Sequence, residues 1–141
     1  AIAQRDPRVV VTGKVPDIRP YVQQAAVYVV PLRVGGGTRL KVLDAMASGK
    51  ALVSTPVGCE GIEVVPGRDL VVADDAGRFA AETVTLLRDP ARRRALGTAA
   101  RQLVEQKYAW PVVGDMLMAA YAYAAEGYRE RGQPARTRRT A

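Results

Sequence analysis

Short apolar segments alternate with longer amphipathic segments along the chain, and this pattern predicts strands separated by helices. The β-branched run Arg8–Thr12, closed by Gly13, predicts a buried strand. Three more apolar runs predict strands at residues 27–30, 51–54 and 70–72. Strands without polar alternation are typical of parallel sheets that are buried on both faces. The predicted fold class is therefore α/β, with a parallel sheet and helices on both of its faces.

Helical periodicity fills most of the intervals between these strands. Asp17 is the expected N-cap of a helix that ends near Ala25. Thr38 is the expected N-cap of a helix over residues 39–48, which Gly49 ends. The apolar face expected for this second helix consists of Leu40, Leu43, Met46 and Ala47. The remaining helices are predicted at residues 79–87, 90–106 and 111–128.

Composition narrows the classes of function that the chain can perform. The chain has 141 residues, of which 48% are hydrophobic and 25% charged, and no apolar run reaches the roughly 18 residues needed to cross a bilayer. It contains one cysteine, Cys59, and no histidine. These counts exclude an internal disulfide, a histidine general base, and a zinc site made of histidines or several cysteines. No metal or cofactor is expected, and the composition is compatible with a reducing cytoplasm.

Positive charge is concentrated at the end of the chain. The net charge is +7, and the last fourteen residues contribute +4 of it because five arginines stand against one glutamate. Residues 1–128 are therefore expected to form one domain and residues 129–141 a flexible basic tail. Binding of nucleic acid through this tail is an alternative, which the lack of interleaved aromatic residues disfavours.

The candidate chemistry follows the predicted strand at residues 27–30. Gly35–Gly37 and Thr38 lead directly into a helix, and ligands of open parallel sheets bind beyond the carboxyl ends of the strands. Glycines allow close approach of the backbone, and the free N–H groups of a first helical turn attract anions such as a diphosphate. Arg39 and Lys41 add positive charge, and Asp44 lies one turn after Lys41. The alternative is a flexible connector followed by a surface ion pair between Lys41 and Asp44.

Two common phosphate-binding patterns are not matched. Before Gly49–Lys50, Asp44 stands where a P-loop requires glycine. The dinucleotide pattern G-x-G-x-x-G begins at Gly35 but meets Leu40 at its last position. Neither an NTPase nor an NAD-dependent enzyme is therefore supported.

The stretch Val27–Val57 resembles the nucleotide-sugar site of retaining GT-B glycosyltransferases of the group 1, or family 4, type. The block Leu43–Lys50, with the sequence LDAMASGK, is the most specific part, and the similarity covers most of residues 8–118. The resemblance implies a Rossmann-like parallel sheet with a helical C-terminus. It also implies that the chain is a truncated form of the second, donor-binding domain of a GT-B fold.

The resemblance assigns roles to particular positions. The family has a pair of glutamates at fixed spacing: the second contacts the donor ribose and maps onto Asp44, and the first contacts the transferred sugar and maps onto Gly36. Backbone amides near Gly37 and Thr38 are expected to meet the sugar and diphosphate. The nucleotide-sugar-binding residues implied in this way, with Arg39 and Lys41 as candidate cations, are Gly13, Lys14, Val15, Gly36, Gly37, Thr38, Arg39, Leu40, Lys41 and Asp44. No catalytic residue is assigned.

The function implied by the resemblance is transfer of a hexose from a nucleotide diphosphate sugar, such as a UDP- or GDP-sugar, with retention of configuration. This activity is expected of a parent glycosyltransferase of polysaccharide biosynthesis. The chain alone is expected to bind the donor but to be inactive, because the N-terminal acceptor domain is missing. The expected localisation is the cytoplasm, including the inner face of the membrane, with any membrane association provided by the parent protein.

The resemblance also implies that the chain lacks the first two strands of the family's second domain. In the strand order of the family, 3-2-1-4-5-6, these two strands lie in the sheet between the predicted strands at residues 8–12 and 27–30. The sheet is then expected to have either a gap or a new pairing at this place. An unpaired apolar edge promotes association, so a homodimer or an exchanged segment is predicted. A non-catalytic, Rossmann-like association module is the principal alternative function, and a nucleic-acid partner is not favoured.

Three other features are weighed against ordinary structural roles. Trp110 and the tyrosines that follow it, together with Tyr108, are expected to be packing and helix-surface residues rather than a sugar platform. Cys59 lacks a matched base, so catalysis by its thiol is not expected. For Glu60, a contact with the donor and a solvated position in a loop both remain open.

Overall fold

The computed structural model describes residues 4–132, and these form an α/β fold. The helices are α1 (Arg19–Gln24), α2 (Leu40–Ala47), α3 (Pro56–Cys59), α4 (Ala76–Arg88), α5 (Pro90–Lys107) and α6 (Trp110–Gly132). The strands are β1 (Tyr28–Val30), β2 (Leu52–Ser54) and β3 (Val71–Val72). The predicted class, with alternating strands and helices and a helical C-terminus, is confirmed.

The three strands form a parallel sheet in the order β1-β2-β3. Val29 is paired with Val53, and Val53 is paired with Val71. All three carboxyl ends therefore meet at one edge of the sheet, which is where the loops before α2, α3 and α4 begin.

Helices cover both faces of this sheet. On one face, Val42 and Met46 of α2 and Leu103 of α5 pack against Leu52. On the other face, Leu86 of α4 packs against Val53 as part of a second apolar cluster. Full burial of such a side chain is worth about 1.5–3 kcal/mol, so these contacts fix the direction in which α2 leaves the sheet edge.

The end of α2 is formed as predicted. Gly49 has a φ of +65°, which glycine adopts without steric cost. Its N–H donates to Met46 O at 2.9 Å, and the Lys50 N–H donates to Ala45 O at 3.1 Å. This pair of hydrogen bonds is a Schellman ending, and it brings Gly49 into close contact with Gly97 of α5.

The strand predicted at Arg8–Thr12 is wrong. The segment is irregular, and the side chains of Val10 and Val11 are 78% and 77% exposed. An extended segment becomes a strand by pairing its backbone with a neighbour, and among the described residues none pairs with it or with the outer side of β1. Of the two arrangements expected at this place, the structure therefore has the gap.

The two predicted helix N-caps, Asp17 and Thr38, are also wrong. Ile18, not Asp17, is the N-cap of α1, while the Asp17 carboxylate accepts a hydrogen bond from the Arg19 N–H at 2.9 Å. Arg39, not Thr38, is the N-cap of α2, and it forms no side-chain capping bond. In both cases the helix begins later than the pattern suggested.

The buried face of α2 differs from the predicted one. The helix buries Val42, Ala45 and Met46, whereas Leu40 is 62% exposed and Ala47 is exposed. Leu43 is only partly buried against the core. Apolar residues at helical spacing form two stripes on α2, and the stripe that meets both the sheet and α5 is the buried one.

Two remaining differences concern helix length. Helix α4 begins three residues before its predicted start because the Asp75 carboxylate caps it by accepting from the Arg78 N–H at 2.8 Å. Helix α6 continues to Gly132, past the predicted end at residue 128. The rest of the predicted basic tail, residues 133–141, lies outside the described residues. Between residues 4 and 132, no helix combines the length and apolarity that a membrane span requires.

Candidate functional site

The glycine-rich loop lies at the carboxyl end of β1, as predicted. It connects Val30 to the first residue of α2, Leu40. A Cβ atom built on Gly36 or Gly37 would meet no other atom within 4 Å, and Gly37 has a φ of +79°. The backbone of these two glycines therefore borders open space at the edge of the sheet.

The buried side chain of Arg39 binds the glycine loop from the interior of the protein. Its side chain is only 5% exposed. Its Nη1 donates to Gly36 O and its Nη2 donates to Gly35 O, both at 3.0 Å. The guanidinium is thus turned toward the loop carbonyls and away from solvent, in contrast to the expectation that it would face a diphosphate. A buried guanidinium with several oxygen partners fixes its neighbours strongly, so Arg39 gives the loop a defined shape.

The loop after β2 supports the glycine loop from a second side. Arg39 Nη2 also donates to Glu60 Oε2 at 3.1 Å. The Thr55 hydroxyl donates to Leu32 O and accepts from the Gly58 N–H, the latter at 3.0 Å. The short helix α3, which Thr55 caps, was not predicted. Its signal was present, because a threonine followed by proline is typical of a helix N-terminus.

Asp44 and Lys41 are exposed on the first turns of α2. Within the described residues no ion pair joins them, and the Asp44 carboxylate accepts no hydrogen bond, so the surface ion pair of the alternative interpretation is not formed in this structure. The Asp44 charge does reach β1: burial, and after it the charge of Asp44, raises the pKa of Tyr28. Lys41 borders a hollow of about 180 Å³ with Val29, Val30, Pro31 and Leu32.

The remaining predicted positions are not assembled around the loop in the same way. Gly13, Lys14 and Val15 lie in an irregular, mostly exposed segment, and no hydrogen bond in the described part of the chain connects them to the glycine loop. Thr38 and Leu40 are exposed beside the glycines. The structure thus brings together the part of the candidate site that lies between residues 35 and 44.

Cys59 and Tyr108 make contacts within the fold, whereas the large side chains of α6 are exposed. Cys59 is buried in α3, and this burial raises the pKa of its thiol, which is the opposite of what a nucleophile requires. The Tyr108 hydroxyl accepts from the Glu63 N–H at 2.8 Å. The large side chains on the surface of α6 include Trp110, Tyr121, Tyr123 and Tyr128.

Comparisons with known proteins bear on the family and on the fold of the chain. A family model described as "Glycosyl transferases group 1" matches residues 1–89. The chain is 31% identical over 100 residues to a GDP-mannose-dependent monoacylated alpha-(1-6)-phosphatidylinositol monomannoside mannosyltransferase of Corynebacterium glutamicum. It is 29% identical over 82 residues to an uncharacterized 44.6 kDa protein in the cps region of Klebsiella pneumoniae. The fold is similar to that of sucrose-phosphate synthase from Thermosynechococcus elongatus, with a TM-score of 0.77 and 25% identity.

These relatives are much longer than the chain. The matches cover 66% and 58% of this chain but only 26% of the mannosyltransferase and 21% of the Klebsiella protein. The structural match covers 89% of this chain and 33% of the sucrose-phosphate synthase chain. The similarity to sucrose-phosphate synthase confirms the predicted relation to the GT-B fold.

Proposed function

The chain belongs to the group 1 glycosyltransferases, and on this premise we propose that it forms the donor-binding part of an enzyme that transfers a sugar from a nucleotide diphosphate sugar. The observation that carries the proposal is the open, rigidly supported loop at Gly36–Gly37, which leads into a helix with a free carboxylate one turn further on. Glycosyl transfer by the parent protein proceeds, in this proposal, with retention of configuration.

The loop is suited to a diphosphate for three reasons. The first turn of α2 leaves backbone N–H groups without helical partners, and these groups together with the helix dipole attract an anion. Arg39 binds the carbonyl oxygens of Gly35 and Gly36 from inside the protein, so those oxygens are not the groups offered to a ligand. The exposed ammonium of Lys41 adds a cation at the same helix end.

Asp44 is suited to the ribose of the donor. Its carboxylate is exposed and has no partner among the described residues, so it retains its capacity to accept hydrogen bonds from two neighbouring hydroxyl groups. Aspartate has a shorter side chain than the glutamate of the family pattern, but its carboxylate offers the same two acceptor oxygens. In this proposal the base of the nucleotide lies toward Gly13–Val15, a segment in which Gly13 and Lys14 are exposed.

The donor and the partners follow from the same proposal. One relative is described as GDP-mannose-dependent, so GDP-mannose is the first donor to test, and UDP-glucose is the second. The acceptor is bound by a further domain, and the chain alone binds donor without completing turnover. The proposed place of action is the cytoplasm, in polysaccharide biosynthesis, with any membrane association provided by the parent protein.

Calorimetric titration of the chain with GDP and with UDP tests this function. We expect one of the two nucleotides to bind, and Asp44→Asn to weaken its binding by about tenfold because hydrogen bonds to a charged acceptor are lost. Asp115→Asn is the control, since Asp115 is an exposed aspartate on α6. Failure of both nucleotides to bind would refute the proposal.

Self-association is a second candidate function, favoured by two exposed apolar surfaces. The outer side of β1 pairs with no described residue, and its Val29 is 43% exposed. On α6, Trp110 is 87% exposed and Met116 is 67% exposed. An association module of this kind would form dimers and bind no nucleotide, whereas a monomer at high concentration in light scattering would exclude it.

A further inference from the structure

Glu60 is an exposed side chain that the structure nevertheless holds in one place. Its side chain is 72% exposed, yet its Oε2 accepts a hydrogen bond from Arg39 Nη2 at 3.1 Å. The side chain of Arg39 is only 5% exposed. Because Arg39 is buried and is also bonded to two carbonyl oxygens of the loop, the carboxylate is restrained more than that of an ordinary surface glutamate, for which ion pairing contributes little.

The same buried guanidinium places this carboxylate beside the glycine loop. Arg39 Nη2 donates both to Glu60 Oε2 and to Gly35 O, while Nη1 donates to Gly36 O. The guanidinium of Arg39 therefore links the Glu60 carboxylate to the backbone of the glycine loop. Gly36 has no side chain, and the space that its Cβ would enter is open.

The second oxygen of Glu60 is available for a ligand. Only Oε2 has a protein partner among residues 4–132, so Oε1 keeps its full capacity as an acceptor. A carboxylate accepts hydrogen bonds from neighbouring hydroxyl groups of a sugar ring, and bonds to a charged acceptor are stronger than those between neutral groups.

We propose that Glu60 accepts hydrogen bonds from hydroxyl groups of the sugar that the nucleotide diphosphate carries, with Arg39 as the positioning residue. This inference rests on the proposed function, since the sugar lies next to the loop only when the diphosphate binds there. Glu60 then makes the chain prefer a sugar nucleotide over the bare nucleotide.

The test compares the affinity for a sugar nucleotide with the affinity for its nucleotide. The whole chain is titrated calorimetrically with GDP and GDP-mannose, and with UDP and UDP-glucose. In Glu60→Gln we expect the affinity for the sugar nucleotide to fall by about tenfold, the fold-change for loss of a charge-assisted hydrogen bond. The affinity for the bare nucleotide should remain within about twofold.

Glu63→Gln is a matched control. Glu63 is also 72% exposed and is also ion-paired, in its case with Lys107, so the same substitution removes the same charge away from the loop. This variant should leave both affinities unchanged. Arg39→Lys keeps a positive charge but loses the fork that reaches Glu60 and the loop together, and we expect it to lower the sugar preference and also to weaken binding of the bare nucleotide.

Three results of this titration would overturn the inference. An equal loss of both affinities in Glu60→Gln would mean that Glu60 only supports the loop. Unchanged affinities in Glu60→Gln would mean that Glu60 does not contact the sugar. In both cases the wild-type chain still binds nucleotide, so the proposed function stands. If the wild-type chain binds none of the four compounds, the proposed function fails and the inference fails with it.

Discussion

Two connections at the same edge of the sheet contain glycine for opposite reasons: the open loop before α2, and the segment after β2 that includes α3 and is here called the closed loop. After β1, Gly36 and Gly37 border open space. After β2, Gly58 is buried, and a Cβ built there would collide with Ser54 Oγ and lie 3.0 Å from Val30 O. The first loop uses glycine to leave its backbone accessible, whereas the second uses it to let two backbones approach each other.

The accessible loop keeps its shape through contacts with the segment after β2. A loop of glycines has little intrinsic order, because glycine loses more conformational freedom on folding than any other residue. Here the closed loop supplies the order through Thr55, which binds Leu32 O, and through Glu60, which binds Arg39. The rigid loop after β2 is therefore the support, and the open loop after β1 is the binding surface.

The largest effect is expected from filling the closed loop. Gly58→Ala should lower the free energy of unfolding by about 3 kcal/mol, because the buried methyl group displaces Ser54 or the Val30 carbonyl. Chemical denaturation measures this change. Gly36→Ala is the matched control, and its stability should stay within about 0.5 kcal/mol of the wild type. Equal losses in the two variants would remove the contrast between the loops.

A smaller effect is expected from cutting the link between the loops. Thr55 is 4% exposed, and Thr55→Val leaves Leu32 O and the Gly58 N–H without their hydroxyl partner. The loss of this cap and the unpaired groups should cost about 2 kcal/mol in denaturant unfolding. Thr85→Val serves as the control, because the Thr85 hydroxyl binds Ala81 O on an exposed helical surface. An unchanged free energy of unfolding in Thr55→Val would show that the hydroxyl of Thr55 does not stabilise the glycine loop.

The open loop should respond in binding rather than in stability. A Cβ atom at Gly36 meets no protein atom within 4 Å, so a larger side chain there extends into the space proposed for the diphosphate and sugar. We expect Gly36→Trp, whose side chain is much larger than the glutamate of the family pattern, to weaken nucleotide binding by about tenfold, or about 1.4 kcal/mol, in calorimetry. Unchanged binding in this variant would place the ligand elsewhere.

The smallest effect concerns the accessibility of Cys59, the only cysteine of the chain. Burial raises the pKa of its thiol, so less thiolate is present at neutral pH than in an unfolded chain. Alkylation of the native protein should be severalfold slower than alkylation in denaturant and should accelerate as the pH rises toward the pKa. Equal rates in the two conditions would mean that the loop after β2 is open.

The sequence predicts most of this fold because its strong signals are local. The apolar runs at residues 27–30, 51–54 and 70–72 coincide with β1, β2 and β3, and Gly49 ends α2 as expected. The run at Arg8–Thr12 is similarly rich in β-branched residues, but among residues 4–132 no strand pairs with it. Composition alone cannot show the presence of a partner strand, and this is why the prediction failed there.

The candidate site was only partly predictable for a related reason. The position of the glycine loop follows from chain order, because the carboxyl ends of parallel strands share one edge. The direction of the Arg39 side chain does not, since it depends on Glu60, twenty-one positions along the chain. The buried stripe of α2 likewise depends on where α5 packs, which the periodicity of α2 does not contain.

Backbone amide shifts in NMR spectra, recorded during titration with GDP and UDP, show where on the chain a nucleotide binds. If it binds at the glycine loop, the largest shifts occur at the amides of Gly36, Gly37 and Thr38, with smaller shifts near Asp44 and none along α6. Shifts concentrated on α6 or on the outer side of β1, with the glycine amides unmoved, would mean that the glycine loop is not the nucleotide site.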